Sequence, residues 1–117
     1  MRPEESDIAY LWDMLHHARE ARALSADKAI DDLSNDQLFS RTMERLIEII
    51  GEAANHVSDE FQEAYPEIPW HSMIGQRNVI AHQYLELDRT RIWQTVSQGI
   101  PELIRLLEPL IPPPPQA

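Results

Sequence analysis

The sequence predicts an all-α protein, an up-and-down bundle of about four main helices. Three observations lead there. Apolar residues recur at i, i+3, i+4 and i+7 along three long stretches, the spacing of one helix face. Capping residues, prolines and small polar clusters punctuate those stretches at their ends. No run of alternating or β-branched residues reads as a strand.

The first helix starts at a Ser6 or Asp7 cap and runs to about Leu24, with Ile8, Leu11, Trp12, Leu15 and Ala18 inward and His16 and His17 at its edge. Arg19, Glu20 and Arg22 form a solvated face. A short helical piece from Ser25-Ala26-Asp27 through Leu33 follows, then a turn at Ser34-Asn35-Asp36. The second long helix spans roughly Asp36 to Val57, with Phe39, Thr42 or Met43, Leu46, Ile49 or Ile50, Ala53 and Val57 as its core stripe. Its small residues around Gly51 and Ala53-Ala54 permit a close helix approach.

Ser58-Asp59-Glu60 restarts a short helix through Ala64, and Tyr65-Pro66-Glu67-Ile68-Pro69-Trp70 breaks it, because each proline disfavours helix in the residue before it. Pro69 suits the first turn of a new helix that presents Trp70, Met73, Ile74 and Arg77. Asp88 is the expected N-cap of the last helix, whose stripe is Ile92, Val96, Ile100, Leu103, Leu107 and Leu110. Pro101 interrupts that pattern and should kink the helix, or be tolerated near Gly99 where the ladder is already weak. Residues 1–111 thus form one helical domain, and 112–117 a proline-rich tail that stops the last helix and frays.

Composition narrows the function. The chain has no cysteine, so neither disulfides nor thiolate metal sites are available. Charges interrupt every long apolar run, and the N-terminus lacks a signal-peptide core; a cytoplasmic protein without a membrane span is expected. Net charge is −10, which opposes loose binding of a polyanion while leaving room for a local basic cleft or a basic protein partner.

Chemistry concentrates in Ile74-Gly75-Gln76-Arg77-Asn78-Val79-Ile80-Ala81-His82-Gln83-Tyr84, followed by Leu85-Glu86-Leu87-Asp88. Arginine offers a permanently charged fork for phosphate oxygens, and histidine exchanges protons near neutral pH. A helical Arg77 and His82 are roughly 140° apart around the axis, so one straight helix cannot aim both at one point. Either the helix loosens near Gln83, or two copies of the chain share a cleft. Arg77 as a helix brace and His82 as a packed end residue is the plain alternative. Glu52, beside small neighbours, could turn inward and orient Arg77 as a buried carboxylate. Glu44, Glu48, Glu52 and His56 repeat at i, i+4, but Glu-x-x-x-His occurs once and is not the Glu-x-x-His pair of di-iron bundles; no metal or other cofactor is expected.

Those residues carry a resemblance. Ile68-Pro69-Trp70, then Ile74-Gly75-x-Arg77-Asn78-x3-His82-x-Tyr84-x3-Asp88, with Glu48-Ile49-Ile50-Gly51-Glu52-Ala53-Ala54 upstream and Trp93 and Pro101-x-Leu103 downstream, resembles the HepT-like branch of the HEPN superfamily. The likeness covers nearly the whole chain, excluding its first residues and its tail. It implies a HEPN-like bundle acting as the toxin of a type VII-like toxin–antitoxin pair, a metal-independent endoribonuclease cutting RNA at a dimer cleft lined by two Arg-x4-His motifs. By position, Arg77 and His82 would be catalytic and Asn78 a polar supporter. Tyr84 matches the tyrosine that a cognate minimal nucleotidyltransferase antitoxin modifies with AMP. Gln83 departs from the small residue common between His and Tyr. The resemblance also admits a non-catalytic companion that holds nucleotide or substrate for a nucleotidyltransferase, which the acidic balance favours and the intact motif opposes. A third reading, a plain helical interaction module, makes the motif a coincidence.

Overall fold

A computed structural model describes residues 3–75 and 89–112, with side chains from Ser6 onward. Among the described residues every regular element is helical. Helix α1 spans Pro3–Ser25, α2 Asp32–Asn35, α3 Gln37–His56 and α4 Asp59–Ala64. The chain is helical again over 70–75, here called α5. It resumes as α6 (Arg89–Gln94), a wide π turn at Thr95–Gly99, α7 (Ile100–Leu107) and a closing 3-10 turn at Glu108–Leu110.

Helix α1 is the centre of the bundle, packing on α3 along one side and on α7 along another. Its buried face is Leu11, Met14, Leu15, Ala18 and Ala21. Met14 and Ala21 replace the expected Ile8 and Trp12, which are half-buried at the rim, because a helix with two neighbours needs a wider apolar face than one stripe. Arg19 lies over the Trp12 ring, 6.0 Å from its centroid, and its guanidinium donates to Glu108 at 2.9 Å, tying α1 to the end of the last helix.

The expected start of α1 is corrected. The helix already runs from Pro3, and Asp7 is a buried residue within it, not a cap. Asp7 accepts hydrogen bonds from the Ser58 backbone N–H (2.9 Å) and hydroxyl (2.7 Å), while Ser58 Oγ in turn caps α4 by accepting from Phe61 N–H (3.2 Å). The carboxylate therefore locks the α3–α4 junction to the foot of α1. Tyr10 and His56 stack beside it, ring centroids 5.1 Å apart, so α1 and α3 run antiparallel with these ends together.

The short helix lies later than expected. Residues 26–31 are turns, and helix forms at Asp32–Asn35, where Ser34 and Asn35 were expected to turn. Asp32 Oδ2 accepts from Ala29 N–H at 2.8 Å, a bond that closes the turn leading into this helix.

Helix α3 begins and ends within a residue of the expected Asp36 and Val57, which are its two caps. Asp36 accepts from Phe39 N–H at 3.1 Å, and Val57 leaves helical geometry. Its buried side includes Phe39, Met43, Leu46, Ile47, Ile50, Ala53 and Ala54, which settles Met43 over Thr42 and Ile50 over Ile49. The Phe39 N–H holds the Asp36 carboxyl below its ordinary value, with Lys28 helping from 3.4 Å. A carboxyl lowered on folding stabilises the fold above its ordinary pKa and loses that contribution as pH falls through the folded value. Asp36→Asn, which keeps a capping oxygen without a titrating group, should therefore be less stable than the parent near neutrality and show a shallower loss of melting temperature as pH falls below about 4, so that the two curves converge in acid. Parallel curves would show that Asp36 carries none of the acid limb.

The last helix keeps Ile92, Val96, Ile100, Leu103 and Leu107 buried, with Ile104 added. The expected disturbance at Pro101 takes the form of the π turn. Ile100 N–H bonds to Thr95 O, one residue further back than in an α-helix. That widening lies just ahead of Pro101, whose ring would otherwise press on the preceding turn. The expected cap Asp88 lies outside the described residues, as does most of the proline tail.

Candidate functional site

The motif spans the connection from α5 to α6, so the described residues give its two footings. The first footing is built from Tyr65 to Trp70. Ile68 and Trp70 are buried, and the Trp70 indole N–H donates to Tyr65 O at 3.0 Å. Phe61 packs against the Tyr65 ring (4.6 Å) and meets Trp70 edge-on (6.2 Å). Gln62 Nε2 donates to Val57 O (3.0 Å) and to Ala54 O (3.3 Å), which also accepts from Val57 N–H (3.2 Å), so the end of α3 is tied to α4. The Ile68-Pro69-Trp70 signature is thus an anchor that fixes where α5 begins. Sequence reading missed the Gln62 bonds and the Asp7–Ser58 lock; the one signal for the latter is that Asp7 falls four residues before Leu11, on the core stripe.

The second footing is α6 with its π turn. Ser72 and Met73 of α5 face Ile47 and Ile50 of α3 and Thr95, Gly99, Ile100 and Leu103 across a small, mostly apolar cavity of about 70 Å³. A Cβ added at Gly99 would meet only Thr95 Cγ2 at 3.9 Å and Gln94 O at 4.0 Å, so this glycine is not required by crowding.

Arg77, Asn78, His82 and Tyr84, with Gln83 between the last two, lie outside the described residues. Glu52 does not, and its inward position is corrected: it is on the exposed side of α3. Two residues past buried Ile50, it points roughly 160° away from it, so small neighbours cannot bring it into the core. Any pairing with Arg77 would have to run over the surface.

The other carboxylates of α3 are spread out. Glu48 pairs with Arg45 at 3.3 Å, and burial pushes the Glu44 carboxyl above its ordinary value against the pull of Arg41. His56 is occupied with the Tyr10 ring. Among the described residues no three His, Asp or Glu side chains gather in a way that could hold a metal ion, and no helix is long and apolar enough to cross a membrane.

With the footings in place, the comparison with known proteins is decisive. The family described as Ribonuclease HepT-like matches residues 14–110, a span that takes in both footings and the whole Arg-x4-His string. The chain belongs to this HepT-like family. Among curated relatives, "Putative RNase MJ1380" of Methanocaldococcus jannaschii is 30% identical over 100 residues, covering 86% of this chain and 92% of the relative. "Probable ribonuclease HepT" of Thermococcus cleftensis is 31% identical over 94 residues, covering 80% of this chain and 86% of its own. "Putative RNase MJ0125", also of Methanocaldococcus jannaschii, is 28% identical over 109 residues, 93% of this chain and 94% of the relative. No solved structure matches. HepT-like membership accounts for the all-α bundle and gives the motif between α5 and α6 its functional context.

Proposed function

We propose that this HepT-like protein is a metal-independent endoribonuclease acting as the toxin of a toxin–antitoxin pair. The observation that carries the reading is the complete Arg77-Asn78-x3-His82-x-Tyr84 string inside the span matched to the family. The ribose 2′-hydroxyl of the substrate attacks its adjacent phosphate, losing its proton and forming a 2′,3′-cyclic phosphate. The bond to the 5′-oxygen of the next nucleotide breaks, and that oxygen leaves as a hydroxyl after taking a proton. His82 moves the proton, and Arg77 stabilises the charge that grows on the phosphoryl oxygens. Asn78 supports that pair with a polar group, and exposed Glu52 can contribute only from the surface. Two chains bring two motifs to one cleft, which resolves the angular separation of Arg77 and His82 on a single helix and concentrates positive charge on an acidic protein.

Control falls to Tyr84. A nucleotidyltransferase antitoxin that transfers AMP from ATP to its phenol oxygen, with loss of the phenol proton and release of pyrophosphate, would bring bulk and a phosphate beside Arg77, competing with the scissile phosphate. The acidic balance supports one second reading, a non-catalytic companion that holds nucleotide or substrate for such a transferase. One experiment separates them: assay RNA cleavage by the purified chain alone, and weigh it intact after co-expression with a neighbouring nucleotidyltransferase. The toxin reading requires cleavage by the unmodified protein, the added mass of AMP on the inactive one, and neither added mass nor silencing in Tyr84→Phe. A chain that cuts no RNA yet binds the transferase would establish the companion reading. Silencing without added mass would replace modification by steric block.

A further inference from the structure

Acidic residues run through the whole chain except in one region. The two longest stretches without a carboxylate are residues 68–85 and 89–101, separated only by Glu86, Leu87 and Asp88. The first holds the Arg-x4-His string. The second opens with Arg89 and Arg91, the only two successive basic residues of the chain with no acid between them. Arg19 and Arg22 are divided by Glu20, and Arg41 and Arg45 by Glu44.

Helix α6 starts a helical rod that continues through the π turn and α7 to Leu107, with no carboxylate before Glu102. Four residues apart, Arg89 and Trp93 lie about 40° from one another around its axis and share a flank. Arg89 is exposed and makes no ion pair or ring contact with a described residue. Trp93 is half-buried against the core. Its indole N–H donates to no described residue, unlike that of Trp70. Among the described residues no buried side-chain nitrogen lacks a partner, so this edge of the Trp93 ring reaches solvent. We propose that this flank of α6 is a subsite for single-stranded RNA beside the cleavage point. Arg89 holds a backbone phosphate, and a base stacks against the exposed part of the Trp93 ring. Seven residues separate Arg89 from His82, at most about 25 Å of chain, so one strand can reach both. The contacts ignore base identity, because every base has a π face and every nucleotide a phosphate. A protein partner has little to bury there: the exposed large apolar residues of the described chain, Leu24, Ile30 and Leu38, all precede α4. The assignment takes its ligand from the ribonuclease reading and gives an acidic chain a surface that tolerates a polyanion.

The test is fluorescence anisotropy of the full chain with a labelled 2′-O-methyl oligouridine dodecamer at low salt. That probe lacks the attacking hydroxyl, so binding is read whether or not the chain cuts RNA. Arg89→Gln should weaken binding and reduce the slope of log affinity against log salt by about 0.7, the share of one phosphate on a single strand. Trp93→Leu should weaken it about fivefold or more, and Trp93→Phe should restore part of that loss. Arg22→Gln, which removes the same charge from the end of α1, should leave the slope unchanged. Arg89 is exposed, so its variant carries the test even where Trp93→Leu loses its helical spectrum. No saturable binding by the parent, a salt slope that ignores Arg89, or equal weakening by Arg22→Gln would overturn the subsite. So would a change in the oligomeric mass of Arg89→Gln, which would assign the flank to a protein contact. Binding that depends on both residues in a chain that cuts no RNA would sink the ribonuclease reading and leave the subsite. Cleavage by a chain whose binding ignores both would do the reverse.

Discussion

His82→Ala and Arg77→Ala should each cut RNA cleavage by the purified protein by roughly 10²–10⁴-fold, with the helical circular dichroism spectrum unchanged. Loss of His82 removes the proton carrier, and loss of Arg77 removes the fixed charge opposite the phosphoryl oxygens. The two lesions differ in signature. His82→Ala should flatten the pH–rate profile on the limb the imidazole governs, whereas Arg77→Lys should recover part of the Arg77→Ala loss without the paired fork. An RNA whose ribose at the cut is 2′-deoxy should resist the parent enzyme, because the attacking hydroxyl is gone. Chelator should change nothing. If both alanine variants cut as the parent does, the activity belongs to a contaminant and the enzyme reading falls. If chelator abolishes cleavage, a metal is needed and the role given to Arg77 is wrong.

How far the sequence could be read depends on how local each cause is. Asp36 and Ser58 announced their helices correctly, because a cap acts on an N–H three residues away in both cases. Asp7 could not be read that way: its partner Ser58 is distant in sequence, and only the fold brings them together. Pro101 after Gly99 marked a disturbance, but a kink and a π turn relieve the same clash, and nothing local chooses between them. At the candidate site, residue types and spacing were legible as a pattern, while the angle between Arg77 and His82 left their joint geometry open. Glu52 was misread through its small neighbours; counting two residues from Ile50 already directs it away from the core.

The largest expected loss of stability from one core truncation is at Leu11→Ala. Leu11 is fully buried on α1, the helix that packs on both α3 and α7, so the methyl groups lost there leave a void that neither neighbour can fill alone. Leucine-to-alanine changes at such sites cost about 2–5 kcal/mol, combining lost transfer energy with the cavity left behind. In a domain of this size that corresponds to a fall in melting temperature of roughly 10–20 °C. Leu38 provides the internal comparison, since it is 78% exposed at the start of α3 and the same substitution there should stay within about 0.5 kcal/mol. Chemical denaturation of both variants measures the contrast. Similar midpoints for the two would mean that α1 is not the shared packing surface of the bundle, and the central place given to it would have to be abandoned.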